Sequence, residues 1–300
     1  MSKYVTRNGG ATVTVLCPFP CTNHCSFCIN RQEYDNTEGF SIDEILKSIS
    51  IMSAMTPECD FVFSGGEPLA DLEGLQLMLD EVNEYGNHKV FINTSLPTNR
   101  YTEDQLVEFL NYNYITHRIT GINVSRHLKK YVEECSDDIF KRLVFSPRIN
   151  CVLFNVNCID TEIKTKLREF VGRFKDITGY IQFRKDYVIT TTDNLYDEKN
   201  DEILNLLKDT FEYLGRNGAY RMRVGYDFIY EGYKITYHKT LPYSKLNLGD
   251  KYVLYDIIIK QTGEIRDDWD IASQLDRSKI YKAEKLDLTE YKDVEFEEYV

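Results

Sequence analysis

Three closely spaced cysteines near the N-terminus are the residues whose chemistry the sequence indicates most directly. Cys21, Cys25 and Cys28 lie in the run CTNHCSFC, where the first gap has one residue more than the second. Thiolates are the ligands that iron–sulfur clusters prefer, and three of them can hold three irons of a cuboidal cluster while the fourth iron stays open. Structural zinc sites and ferredoxin clusters normally take a fourth ligand from the protein. The sequence therefore favours a cluster whose open iron binds a further molecule.

A second motif, FVFSGGEP at residues 61–68, lies one strand and one helix further along the chain. The paired glycines Gly65 and Gly66 allow the backbone to approach a ligand closely. The carboxylate of Glu67, which follows them, can accept hydrogen bonds from an ammonium group. Alone, a pair of glycines is typical of an ordinary strand-to-helix turn, but its position after the cysteines favours a ligand site.

Together the two motifs resemble those of the radical S-adenosylmethionine (SAM) superfamily, in their order and in their separation. The resemblance implies a single [4Fe–4S] cluster held by Cys21, Cys25 and Cys28, with SAM bound to the open iron. It implies an enzyme of oxidoreductase type in which reductive cleavage of SAM yields methionine and a 5′-deoxyadenosyl radical that takes a hydrogen atom from the substrate. The cofactor carries that chemistry, and the protein supplies placement and exclusion of side reactions.

Two other uses of the cysteines stay open at this point. A zinc loop would recruit His24 or Cys17 as a fourth ligand, which leaves the glycine motif unexplained. A frame of Cys17, Cys21 and Cys25 has equal gaps and loses the aromatic residue before the last cysteine. We expect Cys17 to be a buried thiol at the end of a strand.

The resemblance also implies further contacts with SAM. The methionine end would lie on the glycine motif, the adenine beside an aromatic residue of the cysteine loop, and the ribose or carboxylate near polar residues at strand ends. The residues implied are Phe27, Gly65, Gly66, Glu67, Thr94, Ser125 and Arg148. For the strand-end residues a structural role explains the sequence equally well.

Two residues are candidates for direct roles in catalysis. Cys158 could donate a hydrogen atom to a product radical, although such a thiol is more often simply buried. Tyr226 belongs to a tyrosine-rich segment that could form the floor of a substrate pocket or transfer a radical. Packing of the tyrosine rings against the rest of the fold explains that segment as well.

The elements that must position these residues alternate between strands and helices over the first two-thirds of the chain. The predicted strands cover residues 11–16, 60–64, 89–94, 119–125, 148–154 and 180–184. This pattern predicts an α/β fold, an incomplete (β/α)6 TIM-like barrel over residues 10–190, with functional loops at the carboxyl ends of the strands. Both motifs follow predicted strands and obey that rule.

The remainder of the chain, residues 195–300, has a different pattern. It predicts a helix over 201–214 and antiparallel hairpins at 219–239 and around 251–263. We therefore expect a C-terminal α+β extension that closes one side of the barrel.

Composition limits the partners. The chain has 300 residues, 36 Lys and Arg against 48 Asp and Glu, and a net charge of −12, which argues against nucleic acid as the main partner. No apolar run approaches the roughly 18–20 residues of a membrane helix. The N-terminal residues lack the apolar core of a signal peptide, so we expect a cytoplasmic protein with free or ligating cysteines.

The sequence does not name the substrate. A small molecule such as a sugar, nucleotide or amino-acid derivative suits an acidic protein that encloses its substrate, and a peptide is the alternative. An electron donor such as flavodoxin or ferredoxin is implied by the resemblance. A non-catalytic iron–sulfur or zinc protein is the alternative from another functional class.

Overall fold

The central element of the fold is a mostly parallel sheet whose strands alternate with helices along the chain. The computed structural model describes residues 4–7, 11–21, 23–28, 30–55, 59–129, 134–154, 156, 158–186, 198–217, 224–239, 245–248, 251–266 and 293–294. The helices in these ranges are α1 (Ile42–Met55), α2 (Leu72–Tyr85), α3 (Glu103–Ile115), α4 (Asp138–Arg142), α5 (Ile163–Phe174) and α6 (Glu202–Thr210). None of them combines the length and the apolar character that crossing a membrane requires.

The strands of the same ranges form two sheets. They are β1 (Tyr4–Arg7), β2 (Thr12–Cys17), β3 (Asp60–Gly65), β4 (Lys89–Thr94), β5 (Gly121–Ser125), β6 (Arg148–Leu153), β7 (Tyr180–Lys185), β8 (Glu212–Asn217), β9 (Val224–Tyr230), β10 (Tyr233–Lys239), β11 (Lys245–Leu248), β12 (Lys251–Leu254), β13 (Asp256–Ile259), β14 (Ile265–Arg266) and β15 (Asp293–Val294).

Strands β2 to β7 lie side by side in chain order, and each is parallel to the next. A helix follows each of them in the chain: α1, α2, α3, α4, α5 and α6 respectively. The α/β fold class and the six β/α units of the predicted incomplete barrel are confirmed. The parallel order matters for function because it brings the carboxyl ends of all six strands to one edge of the sheet.

The C-terminal third of the chain adds strands to both edges of this sheet. Strand β13 pairs in parallel with β2 at one edge, and β10 pairs in parallel with β7 at the other. The described sheet therefore has the order β14-β13-β2-β3-β4-β5-β6-β7-β10-β9-β8. A second described sheet has the order β11-β12-β1-β15. The expectation of an extension on one side was incomplete, because short-range patterns do not report which distant strands pair.

The hairpin predicted over 219–239 is confirmed for β9 and β10, and its turn has the expected chemistry. Residues 219–223 of that prediction lie outside the described residues. Glu231 and Gly232 both have positive φ angles, 49° and 80°, as a tight two-residue hairpin turn requires. The helix predicted over 201–214 is wrong in its last turn, because α6 ends at Thr210. The next residues form β8, which pairs with β9 through a bulge near Gly215, so tertiary pairing outweighs local helix propensity there.

One face of the sheet is apolar and packs against the helices. Val124, Ile149, Ile181, Ile235 and Phe228 are registered partners across five strands, and all have no exposed surface. Burying a side chain of this size contributes roughly 1.5–3 kcal/mol. Because side chains alternate along a strand, the residues on either side of this row point to the opposite face.

The β13–β14 hairpin is fastened to the N-terminal part of the chain by polar contacts. The Ser48 hydroxyl of α1 donates to the Gly263 carbonyl in the hairpin turn. Lys260 forms a buried ion pair with Glu33, and the Gln261 amide donates to the same carboxylate over 3.0 Å. Glu33 lies just after the cysteine loop, so the hairpin supports the region where the first motif lies.

Gly263→Ala tests this attachment. Gly263 has a φ of +79°, and an added Cβ would lie 2.6 Å from the Glu44 backbone. We expect the free energy of unfolding to fall by about 1–3 kcal/mol, measured by urea denaturation, because a left-handed alanine is strained and α1 must move.

The matched control is Gly172→Ala in α5, where no atom lies within 4 Å of the added Cβ. Alanine favours a helix more than glycine does, so this variant should be stabilised by about 0.5–1 kcal/mol. Equal effects of the two substitutions would contradict the attachment of the hairpin to α1.

Candidate active site

The three cysteines of the first motif lie in the loop that leaves the carboxyl end of β2. Cys21 and Cys25 are half-buried, and Cys28 is exposed. The Cys28 N–H donates to the Cys25 carbonyl over 3.1 Å, and the Asn23 N–H donates to Cys21 Sγ over 3.4 Å. The loop therefore presents its thiols at the edge of the sheet where functional groups were predicted.

The electrostatics of this loop suit a positively charged metal centre. Burial raises the pKa of both Cys21 and Cys25 to about 11, and Coulombic repulsion from Cys28 adds to the shift in each case. Three thiolates in this loop would repel one another unless a cation neutralised them. Among the described residues no three Cys, His, Asp or Glu side chains are placed to share one metal ion. In a cuboidal cluster each thiolate binds a different iron, and the donor set of the loop fits such a cluster.

Cys17 has a different environment from these three. It is the last residue of β2, has no exposed surface, and lies within the apolar core. Burial, followed by repulsion from Glu67, raises the pKa of its thiol. This is the buried strand-end thiol expected from the sequence.

Glu67 of the second motif is a buried carboxylate held by four donors. The Leu69 N–H and the Thr94 hydroxyl donate to Oε1 over 3.1 and 2.5 Å. The Ser95 N–H and hydroxyl donate to Oε2 over 2.9 and 2.7 Å. Burial raises the pKa of the Glu67 carboxyl, while these hydrogen bonds oppose the shift. Four donors fill the acceptor capacity of a carboxylate, so Glu67 positions the loop here, and its contact with SAM remains a prediction.

Ser95 connects the two motifs and was not singled out from the sequence. Its hydroxyl accepts from Asn23 Nδ2 in the cysteine loop over 3.0 Å and donates to Glu67. The only sequence signal was its position directly after the end of the third predicted strand, next to Thr94. The Thr94 hydroxyl, which we expected near SAM, donates to Glu67 and accepts from the Leu96 N–H over 2.8 Å. The Thr94 hydroxyl therefore both donates and accepts a hydrogen bond within the protein.

The two glycines of the second motif are required by the protein itself. Gly65 has a φ of +100°, and a Cβ there would lie 2.4 Å from the Tyr34 hydroxyl. A Cβ on Gly66 would lie 1.8 Å from the Phe19 carbonyl oxygen. The Tyr34 hydroxyl accepts from the Gly66 N–H and donates to the Cys17 carbonyl. No sequence pattern marked Tyr34, which binds the glycine turn to the end of β2.

Phe27, the aromatic residue before the last cysteine, packs into an aromatic cluster. Its ring lies 4.4 Å from that of Phe154 and 4.8 Å from that of His127, measured between centroids. His127 is buried, and its Nδ1 accepts from the Val152 N–H over 3.3 Å. Burial and the neighbouring Arg126 lower the pKa of His127 to about 4, so the imidazole is neutral at pH 7. A contact of Phe27 with adenine remains a prediction.

Arg126 holds the ends of two strands together beneath this cluster. Its Nη1 donates to the carbonyls of Ser95 and Ser125 over 2.8 and 2.9 Å, and the side chain has no exposed surface. Its Nε lies 3.6 Å from the Glu134 carboxylate. The buried guanidinium therefore fixes the backbone at Ser95 and at the predicted site residue Ser125.

Ser125 reaches the expected edge of the sheet, whereas Arg148 does not. Ser125 is half-buried at the carboxyl end of β5 and registers with Asn150 of β6. Arg148 is the first residue of β6, is exposed, and lies over the Phe91 ring at 4.6 Å. As the first residue of a parallel strand, Arg148 lies toward the amino edge, and its role at SAM remains a prediction.

The two predicted catalytic side chains belong to segments other than the two motifs. Tyr226 is fully buried in the core on the helix-facing side of β9, and its hydroxyl donates to Glu198 over 3.1 Å. The register of β9 turns it away from the opposite face, and its catalytic role remains a prediction. Cys158 is half-buried after β6, and burial and the carboxylates of Glu202 and Asp201 raise the pKa of its thiol. Its hydrogen-donor role remains a prediction.

Residues 19–144 match the family described as the radical SAM superfamily. This segment of the chain is therefore similar to the radical SAM superfamily. The matched segment starts after Cys17 and contains Cys21, Cys25 and Cys28, as well as the glycine motif and Ser95. Radical SAM proteins are enzymes that use a [4Fe–4S] cluster and SAM. No curated protein sequence matches the chain.

Three solved structures of one protein resemble this chain at low identity. A hexahistidine-tagged form of anSMEcpe with bound AdoMet is 19% identical over 66% of this chain, with a TM-score of 0.48. Native anSMEcpe with bound AdoMet and Cp18Cys peptide is 20% identical over 67% of this chain, with a TM-score of 0.47. Native anSMEcpe with bound AdoMet is 19% identical over 67%, also at 0.47. The matches cover 58–59% of the length of those chains.

Ser95→Ala tests the connection between the two motifs. The substitution leaves Asn23 and Glu67 each without one hydrogen-bonding partner, which costs about 1–3 kcal/mol for a buried polar group. We expect the reconstituted cluster to be lost several-fold faster to a chelator, followed by its visible absorbance. Thr120→Ala is the control, because the Thr120 hydroxyl accepts from the Val90 N–H near the amino end of β4. Equal cluster lifetimes in the two variants would refute the connecting role.

The lowered pKa of His127 predicts a pH-dependent stability. A neutral buried imidazole contributes fully above its ordinary pKa of 6.5, and the contribution is lost as pH falls toward the folded pKa of about 4. The loss should reach on the order of 3 kcal/mol across that window. Urea unfolding of His127→Gln from pH 7.5 to 4.5 should show a flatter pH profile than the parent chain. His117→Gln, at an exposed position, should leave the profile unchanged, and identical profiles for both variants would contradict the assignment.

Proposed function

We propose that the chain binds a [4Fe–4S] cluster through Cys21, Cys25 and Cys28, cleaves SAM reductively, and abstracts hydrogen from a small-molecule substrate. One observation carries this proposal. The loop with the three thiols and the Gly-Gly-Glu turn meet at the carboxyl edge of the sheet and are joined through Asn23, Ser95 and Glu67. A loop that only stabilised the fold through zinc would not need this connection to the second motif.

Some residues of the proposed site would bind the cluster or SAM, and others position the loops that carry them. The three cysteines would hold the cluster, which supplies, when bound, the electron that cleaves SAM at its open iron. Glu67 fixes the turn that contains Gly65 and Gly66, so that the backbone of the turn faces the cysteine loop. Ser125 and Asn150 extend the polar edge away from that loop and are proposed to bind the nucleoside part of SAM. Phe27 is proposed to contact the adenine.

The proposed substrate is a small polar molecule. Strands β13 and β10 extend both edges of the six-stranded array, which favours a substrate enclosed over the sheet rather than one lying across an open edge. A peptide substrate is the alternative that the test must separate. An electron donor of the flavodoxin or ferredoxin type and a cytoplasmic location belong to the same proposal, since reduction of the cluster needs both a donor and protection from oxygen.

Anaerobic reconstitution with iron and sulfide, followed by dithionite and SAM, tests the function. We expect a [4Fe–4S] spectrum and formation of 5′-deoxyadenosine. Cys25→Ala should abolish both, because it removes a ligand, whereas Cys59→Ala should keep both, since Cys59 is buried beside His88. A reducible cluster without 5′-deoxyadenosine would favour a non-catalytic iron–sulfur protein, and bound zinc would favour a structural site.

Cys17→Ala and Cys28→Ala distinguish the two possible ligand frames. Cys17 is buried in the core and Cys28 is exposed in the loop, so only Cys28→Ala should lose the cluster. Loss of the cluster in Cys17→Ala with retention in Cys28→Ala would replace our frame with Cys17, Cys21 and Cys25.

A further inference from the structure

A row of polar side chains crosses the face of the sheet opposite the apolar core. Its members are registered partners on five neighbouring strands: Ser125, Asn150, Gln182, Thr236 and Asp227. The first two lie on β5 and β6, two and three strands from β3, whose carboxyl end leads into the glycine turn. The last three lie on β7 and on the β9–β10 hairpin, which none of the sequence motifs includes. A polar row of this length on a face next to the candidate site indicates a surface built for a polar ligand.

Gln182 organises the part of this row that lies farthest from the cysteines. Its Oε1 accepts from Arg184 Nε over 3.1 Å, and its Nε2 donates to His238 Nδ1. Because the amide nitrogen can only donate, the His238 Nδ1 must be unprotonated and accept. Gln182 is buried, so the amide is locked between the two side chains and fixes the guanidinium through one nitrogen.

The two terminal nitrogens of the Arg184 guanidinium have no hydrogen-bond partner among the described residues. Arg184 is half-buried near the carboxyl end of β7, and no described carboxylate lies within 4.0 Å of it. Arg118, Arg126, Arg142 and Arg173 are in ion pairs with Asp or Glu in the described part of the chain. Arg100 and Arg168 donate to backbone carbonyls, and Arg148 lies over the Phe91 ring. Arg184 differs from these three because a buried side-chain amide orients it. In a chain with a net charge of −12, an arginine that an amide orients and that has no carboxylate partner among the described residues suits an external anion.

Arg184 lies several strands along the sheet from the residues that contact the cysteine loop. Arg184 lies on β7, three strands from β4, which carries Thr94 and is followed by Ser95. Neighbouring strands lie about 4.8 Å apart, so the offset along the sheet is about 15 Å. Arg184 therefore belongs to the substrate end of the polar face rather than to the cluster end.

We propose that Arg184 binds an oxyanion group of the substrate, a carboxylate or a phosphate, with Gln182 and His238 as positioning residues. The two terminal nitrogens can bind such a group bidentately. The hairpin of the C-terminal extension then has a functional role, because β10 supplies the histidine that locks Gln182. That the bound anion is part of the substrate rests on the proposed function. That Arg184 binds an anion does not depend on the proposed function.

Anion titration of the reconstituted protein with SAM bound tests the proposal. The probes are malonate and inorganic phosphate, measured by isothermal titration calorimetry at low ionic strength. We expect Arg184→Gln to weaken binding of the preferred probe about tenfold or more, because it removes a bidentate charge-assisted contact. Gln182→Glu should weaken it similarly, because it places a carboxylate beside Arg184 without changing the size of the side chain. The probe that binds more tightly identifies the source of the oxyanion.

Arg142→Gln is the matched control, since Arg142 lies on the surface in ion pairs with Glu103 and Asp104. Its titration should agree with that of the parent chain within about twofold. The proposal is overturned if the parent chain binds neither probe below about 10 mM, if Arg184→Gln binds as tightly as the parent, or if Arg142→Gln weakens binding equally. Cluster absorbance and 5′-deoxyadenosine formation, measured on the parent chain, report separately on the proposed function, so the two failures can be told apart.

Discussion

The geometry of the candidate site depends on the hydrogen bonds to the buried carboxylate of Glu67. A carboxylate away from water is tolerated only when donors surround it, and here all of its donors come from three places in the chain. They are the turn after the glycines, the end of β4, and the residue that follows that strand. Satisfying one buried charge therefore fixes the relative positions of these segments, and Ser95 transmits the arrangement to the cysteine loop through Asn23.

Steric constraints act in the same direction. The left-handed backbone at Gly65 and the close approach of Gly66 to Phe19 leave no room for a side chain. The Tyr34 hydroxyl occupies the remaining space and joins the glycine turn to the end of β2. Tyr34 and Glu33 are in turn supported by the β13–β14 hairpin through Gln261 and Lys260. Thus residues more than two hundred positions apart in sequence cooperate to hold the loop that presents the thiols.

The two faces of the sheet explain why some predicted residues join the site and others do not. One face is apolar and buried under the helices, and the other bears the polar row from Ser125 to Asp227. Tyr226 and Asp227 are adjacent in sequence, yet only Asp227 lies on the polar face, because side chains alternate along a strand. A shift of one residue in register would have exchanged their roles. The proposed substrate end of the site, at Arg184, follows from the same alternation.

The sequence by itself determined the cysteine and glycine motifs, the six alternating strands and helices, and the turn of the β9–β10 hairpin. These are encoded locally, by ligand spacing, by hydrophobic periodicity and by residues that tolerate positive φ angles. Only the tertiary structure decided that β10 and β13 join opposite edges of the sheet, that Ser95 and Tyr34 connect the motifs, and that Gln182 orients Arg184. Those contacts join residues far apart in the chain, and their pairing depends on burial and register that no local pattern specifies.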